Sequence, residues 1–306
     1  MTPTSNPSPA MAPKPGSEHP LVIQPAADVF ARRAARFRAL ADGHPLADYL
    51  QLLASLSDAQ HDLLASHPAL PLPEAEACDQ ARRYGMPPLA VHSWPRDPQW
   101  QQQLAKLVDM VSEQAPAPLQ AELEALRSAD ENRLEALASA VLNADYDPAD
   151  SAQLPFVAAA LQLYWSWMAM QPTLAGLRRL DVAGVCPCCG SLPVSSIIET
   201  EPHAGSRYLH CSLCNTAWNM VRVNCSSCGD TDQVGYRLLE DEAGSQHETV
   251  RAEVCDHCHS YLKQVRRDKD AAADPVADDL ATLALDILCD EAEYARSGPN
   301  PLFIPG

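Results

Sequence analysis

Four Cys-x-x-Cys pairs lie within about seventy residues of one another: Cys186 and Cys189 in CPCCG, Cys211 and Cys214 in CSLCN, Cys225 and Cys228 in CSSCG, Cys255 and Cys258 in CDHCH. Thiolates paired in this way are the ligands of tetrahedral metal centres, in which every sulfur sits about 2.3 Å from one ion. The ten residues between Cys214 and Cys225 include a β-forming run, WNMVRV at 218–223, which spans roughly 20 Å when extended. A strand of that length keeps its two flanking pairs apart, so each pair must find its mate outward. Cys186 and Cys189 then join Cys211 and Cys214 across twenty-one residues, and Cys225 and Cys228 join Cys255 and Cys258 across twenty-six.

In a metal knuckle the chain turns under the first two sulfurs, backbone N–H groups point at them, and the residue after the second Cys takes a positive φ. Gly190 and Gly229 suit that position, Asn215 is the next best residue, and His259 fits least well. Structural disulfides and redox-active dithiols are the alternatives. The N-terminal MTPTSNPSPAMAPKPGSEHP offers no apolar segment of the kind that directs secretion, and its Pro/Ser-rich composition reads as a disordered tail. The thiols are therefore expected in a reducing cytoplasm, where they persist and bind metal. Cys78 and Cys289 fall in helical stretches and read as small packed apolar residues. Cys188, inside the first knuckle, reads as a tolerated intervening residue, with a spare ligand or a reactive thiol as alternatives. His210, His257 and His259 flank the knuckles and are expected to face solvent or to support the ligands from behind.

The elements that must position these thiols divide the chain sharply. Residues 1–24 are expected to be the disordered tail and 25–182 a helical domain, Ala/Leu-rich and broken by Pro into helices near 26–41, 46–66, 74–84, 97–114, 118–128, 130–143 and 153–171. In the second helix Leu46, Tyr49, Leu50, Leu53, Leu56, Leu63 and Leu64 recur at helical spacing as a buried stripe. LPFVAAALQLYWSWMAM, 154–170, is too short for a membrane span and carries Gln162 and Ser166, so it reads as a central buried helix. Short β-like runs follow: VSSIIE, RYLH, WNMVRV, VGYRLLE, ETVRAEV and YLKQVRR. They suit two rubredoxin-like or zinc-ribbon modules, 183–224 and 225–270, each too small to hold a core without its metal. Residues 271–306 read as a C-terminal helix, with Val276, Leu280, Leu283, Ala284, Ile287 and Leu288 on its apolar side, followed by an extended tail. The expected fold class is α+β.

A formal charge of −18 argues against binding to nucleic acid, and from Cys186 to Arg267 seven Lys/Arg face ten Asp/Glu. Much of the acidity is expected to be a solvated helix surface. Nucleotide-binding loops, nucleophile elbows and HExxH patterns are missing from the sequence, and a closed four-thiolate site leaves no open position for a substrate. The protein is therefore not expected to be an enzyme, nor to insert stably into a membrane.

The runs CPCCGSLPVSS, RYLHCSLCNTAWNMVRVNCSSCG, AEVCDHCHSYLK, VADDLATLALD and NPLF, together with the N-terminal HPLADYLQLLASL, resemble the formate dehydrogenase accessory protein family, FdhE. The resemblance covers nearly the whole chain, and the order and spacing of all four knuckles agree with it. It implies a cytoplasmic maturation factor needed for active respiratory formate dehydrogenase, which binds the catalytic subunit of that molybdenum enzyme before export. It also implies iron at two rubredoxin-type four-cysteine sites, with zinc as the alternative because thiolate tetrahedra accept both. A second function is a rubredoxin-like redox protein acting on the cofactor or thiols of formate dehydrogenase.

Overall fold

The computed structural model describes residues 19–113, 115–182, 184–240 and 248–303. All seven helices expected from the Ala/Leu periodicity form, their ends within three residues of the expected ones: α1 (Val29–Ala41), α2 (Ala47–Ala65), α3 (Ala75–Tyr84), α4 (Gln99–Ser112), α5 (Ala117–Ser128), α6 (Glu131–Asn143) and α7 (Leu154–Ala169). Local chemistry sets several of those ends. Asp130 caps α6 by accepting from the Arg133 N–H at 2.8 Å, and Gly85 closes α3 in the left-handed conformation at φ 62°. From its stripe α2 buries Leu50, Leu53, Leu56, Leu63 and Leu64, whereas the half-buried Leu46 and Tyr49 line a cleft of about 420 Å³ with Phe156 and Phe303.

Helix α7 is the centre of the helical layer. Every residue in it except Trp167 is buried, and α2, α4 and α6 pack around it. No helix among the described residues is long and apolar enough to cross a membrane.

The β-like runs form β2 (Pro193–Ile198), β3 (Arg207–Cys211), β4 (Ala217–Met220), β5 (Val234–Arg237), β6 (Val250–Cys255) and β7 (Ser260–Arg266), joined by two short strands, β1 (Val22–Ile23) and β8 (Ala295–Arg296). All belong to one sheet in the order β1-β4-β3-β2-β7-β6-β5, with β8 on β7. The stretches expected to make two separate modules are therefore fused. A parallel pairing of β2 with β7, Ser196 opposite Gln264 and Ile198 opposite Arg266, joins two antiparallel meanders.

Three expectations need correction. Of the tail expected at 1–24, residues 1–18 lie outside the described residues, but Val22 and Ile23 pair with Trp218 and Ala217, because an apolar LVI segment completes the sheet edge. The strand expected over 218–223 ends at Met220, since the buried Arg207 takes the carbonyls of Val221 and Asn224 at 3.1 and 2.8 Å and turns the chain toward the next knuckle. The C-terminal helix is broken into α8 (Ala277–Leu280) and α9 (Leu283–Glu291). That break resets the helical phase, so Val276 and Leu280 are buried while Ile287 and Leu288 are 60% and 50% exposed, and α9 buries Leu285 and Cys289 instead.

The expected extended tail also turns inward, and acids of the C-terminal segment lie inside the protein and not on the solvated acidic surface. Asn300 donates to the Val276 carbonyl and to Asp279, and the Leu302 carbonyl accepts from the Tyr49 hydroxyl at 2.5 Å. Asp278 is buried against Arg36, and Asp279 against Lys263 and Arg296. Residues 304–306 lie outside the described residues.

One hydrophobic cluster runs from the helices into the sheet without stopping at residue 182, taking in Cys186, Cys189, Cys211, Cys214, Leu209 and Trp218. A second, much smaller cluster of Val250, Ala252, Val254, Tyr261, Val265, Ala273, Leu285 and Cys289 supports β6 and β7. Between the two halves of the sheet, Arg207 and Glu253 form a buried ion pair at 2.5 Å. Arg207→Met is expected to lower stability by about 3–5 kcal/mol in chemical unfolding, because it leaves a buried carboxylate without its cation. Adding Glu253→Leu should recover most of the loss; an equal loss in the double variant would locate the damage in the 221–224 turn instead.

Candidate metal centres

The structure brings the eight cysteines together in the two groups expected from their spacing. In each of the groups Cys186, Cys189, Cys211, Cys214 and Cys225, Cys228, Cys255, Cys258, the sulfurs all lie within 4.8 Å of one another. Sulfur pairs stand 3.6 Å apart for Cys186 and Cys214, 3.4 Å for Cys189 and Cys211, 3.6 Å for Cys225 and Cys258, and 3.7 Å for Cys228 and Cys255. A tetrahedron with bonds of about 2.3 Å has edges of about 3.8 Å, whereas a disulfide would need about 2.05 Å. All eleven cysteines are free, and each cluster can hold a metal ion.

The backbone beneath the sulfurs is shaped for the same purpose. The residue after the second cysteine has positive φ in all four knuckles: 82° at Gly190, 57° at Asn215, 79° at Gly229 and 51° at His259. His259, the residue least suited to that conformation, adopts it nonetheless. Its neighbours require the turn, and the cost of a non-glycine residue there is about 1–2 kcal/mol. The Leu213 and Cys214 N–H groups point at Cys211 Sγ at 3.4 and 3.3 Å, and the Ser227 N–H at Cys225 Sγ at 3.4 Å. Burial pushes the Cys186 and Cys211 thiols well above their ordinary range. Four sulfurs gathered in the interior are the donor set that a divalent ion requires, because the cation compensates the charge of the thiolates that bind it.

The two clusters differ in their surroundings. All four cysteines of the first are fully buried, and the helical layer grips both of its knuckles. The carbonyls of Cys188 and Cys189 accept from Leu89 and Val91, both at 3.0 Å. Gln162 of α7 donates to the Ser212 carbonyl at 2.7 Å, and Ser166 of α7 accepts from Asn215 Nδ2 at 2.8 Å. Asn215 Oδ1 in turn receives Arg33 of α1 at 2.6 Å and His210 at 3.1 Å, and Arg33 is paired with Asp274. In the second cluster Cys225 and Cys255 are buried, Cys258 is half-buried and Cys228 is exposed.

His210 is a buried partner behind the ligands, its pKa lowered to about 4 by burial first and then by Arg33, while His257 and His259 are exposed; none of the three joins a cluster. Cys188 is buried but stands outside the four-sulfur group. Sequence reasoning missed Arg33, Asp274 and the Asn215 side chain, although two signals existed: polar Gln162 and Ser166 interrupt an apolar helix, and Arg33 lies on the face of Phe30, Ala34 and Phe37. Gly184 was also missed. A Cβ there would stand 2.1 Å from the Ser226 carbonyl, so the entry to the first cluster is pressed against the third knuckle.

Three family models match the chain in succession: FdhE, N-terminal, over residues 19–178; FdhE, central domain, over 185–222; and FdhE, C-terminal domain, over 223–303. The chain is 44% identical over 288 residues to a protein named FdhE homolog from Edwardsiella ictaluri, covering 94% of this chain and 92% of that one. It is 40% identical to protein FdhE from Escherichia coli K12, with the same coverage. The crystal structure of the FdhE protein from Pseudomonas aeruginosa aligns with a TM-score of 0.79 and 38% identity, over 94% of this chain and 100% of that chain.

Because no thiol is shared between the groups, Cys211→Ser should disable only the first. Elemental analysis of the purified variant is expected to give half the metal of the parent, with Cys225, Cys228, Cys255 and Cys258 still protected from alkylation. Loss of all metal from a folded variant would contradict the pairing.

Proposed function

The chain belongs to the FdhE family, and from that premise we propose that it is a cytoplasmic accessory protein of formate dehydrogenase. In this reading it binds the catalytic subunit before export and helps bring it to activity without being an enzyme itself. Cys186, Cys189, Cys211 and Cys214 hold one ion, and Cys225, Cys228, Cys255 and Cys258 a second. Iron is the metal proposed and zinc the alternative, as both take four thiolates.

The observation that carries the reading is closure. Each cluster offers four sulfurs at tetrahedral separations, so a bound ion has its coordination filled by the protein and keeps no position for a substrate. A metal in such a site supplies folding free energy and shape. A second reading, a rubredoxin-like electron carrier, draws on the exposed Cys228 and half-buried Cys258, which bring a redox ion near the surface. A colourless protein with no reversible absorbance change on reduction would remove it.

The accessory role predicts the behaviour of a ligand-pair variant. A structural four-thiolate site contributes on the order of 10 kcal/mol, more than the contacts around the 225–228 knuckle can replace. Cys225→Ser with Cys228→Ser should therefore unfold the β5–β6 end of the sheet, leave α1–α7 intact by circular dichroism, and sharply reduce capture of the catalytic subunit in pull-downs. Formate oxidation by the cells should fall while synthesis of the catalytic subunit continues. Full formate dehydrogenase activity with the second cluster demonstrably empty would sink this assignment for the second half of the sheet.

A further inference from the structure

We propose that the second cluster is the exchange site of this protein, where metal enters and leaves and where an external thiolate or imidazole donor reaches the centre, while the first cluster keeps its ion as part of the core. This rests on the reading that both clusters hold metal. Four observations separate them. The first cluster's cysteines are each 0% exposed, against 5% for Cys225, 2% for Cys255, a half-buried Cys258 and an exposed Cys228.

The first cluster is also tied by its knuckle backbone to residues 89–91 and to α7, and through Asn215 to Arg33. Opening it breaks those bonds and exposes the main hydrophobic cluster. By contrast, the 225–228 knuckle lies in residues 221–233, between the end of β4 and the start of β5, and carries no strand pairing. It can swing outward while every ladder of the sheet stays closed, at the cost of the Arg207 bonds to the Val221 and Asn224 carbonyls and of the close approach of Ser226 to Gly184.

Finally, most of what surrounds that knuckle is exposed: Val221, Arg222 and Val223 before it, Ser227, Cys228 and Gly229 within it, Thr231, Asp232 and Gln233 after it. Its outward side-chain bond is the surface pair Ser227 with Ser297 at 2.8 Å. Exchange then begins at Cys228. An incoming donor takes the place of the Cys228 thiolate, the released thiolate accepts a proton from solvent, and no electron moves. Cys225 follows on the same mobile arm, and Cys258 and Cys255 are the last to let go. The first cluster has no thiolate that can be replaced this way without opening α7.

The test uses the full chain loaded with zinc, mixed with an excess of the chelating dye 4-(2-pyridylazo)resorcinol. Release should occur in two phases of equal amplitude, the fast one on the order of tenfold or more quicker, as local opening precedes opening of a core. Iodoacetamide present during release should label Cys225, Cys228, Cys255 and Cys258 with the fast phase and the other four with the slow one. This labelling needs no variant and so does not depend on one folding. A single phase, or earlier labelling of Cys186, Cys189, Cys211 and Cys214, would overturn the proposal. Fewer than two zinc ions per loaded chain, measured before the dye is added, would overturn the metal reading itself and the proposal with it.

Discussion

The contact between α7 and the knuckle that follows β3 is what the rest of the molecule depends on. A helix buried on all sides cannot leave a glutamine amide or a serine hydroxyl unsatisfied, because each such group costs about 1–3 kcal/mol. Gln162 and Ser166 find their partners in the Ser212 carbonyl and the Asn215 side chain. Those partners stand in the right place only while Cys211 and Cys214 hold the chain in a knuckle with Asn215 at positive φ. The first cluster is thus part of the seat on which the helical layer rests.

Buried charge carries the same coupling to the end of the chain. Arg33 and Arg36 of α1 reach Asp274 and Asp278, and Asp279 gathers Lys263, Arg296 and Asn300. Such pairs add little net stability against apolar replacements, but breaking one leaves an uncompensated charge in the interior. They fix where the segment 274–302 lies against both α1 and β7. The second cluster sits beyond this lattice, supported by a small core and by its own thiols.

Much of this was legible in the sequence, and the parts that were not share a cause. Helices announced themselves through the spacing of Leu and Ala, and the pairing of the thiols followed from the chain between Cys214 and Cys225, although the strand expected there stops at Met220. Gly190, Gly229 and Asn215 gave away the turn by residue type. The β2–β7 pairing gave no signal, since it joins segments nearly seventy residues apart whose patterns say nothing of one another. The burial of Asp278 gave no local signal either, because its partner Arg36 is 242 residues away. The face of α9 was misread for a different reason, a single break before Leu283 that shifts every later position.

Amide hydrogen exchange on the full chain, before and after the first cluster is emptied, tests the central coupling most directly. The amides of α7 and of residues 211–216 should share one level of protection in the metal-loaded protein and lose it together when the metal leaves. Undiminished protection along α7 with the first cluster empty would contradict the account, because the helical layer would then stand without its seat.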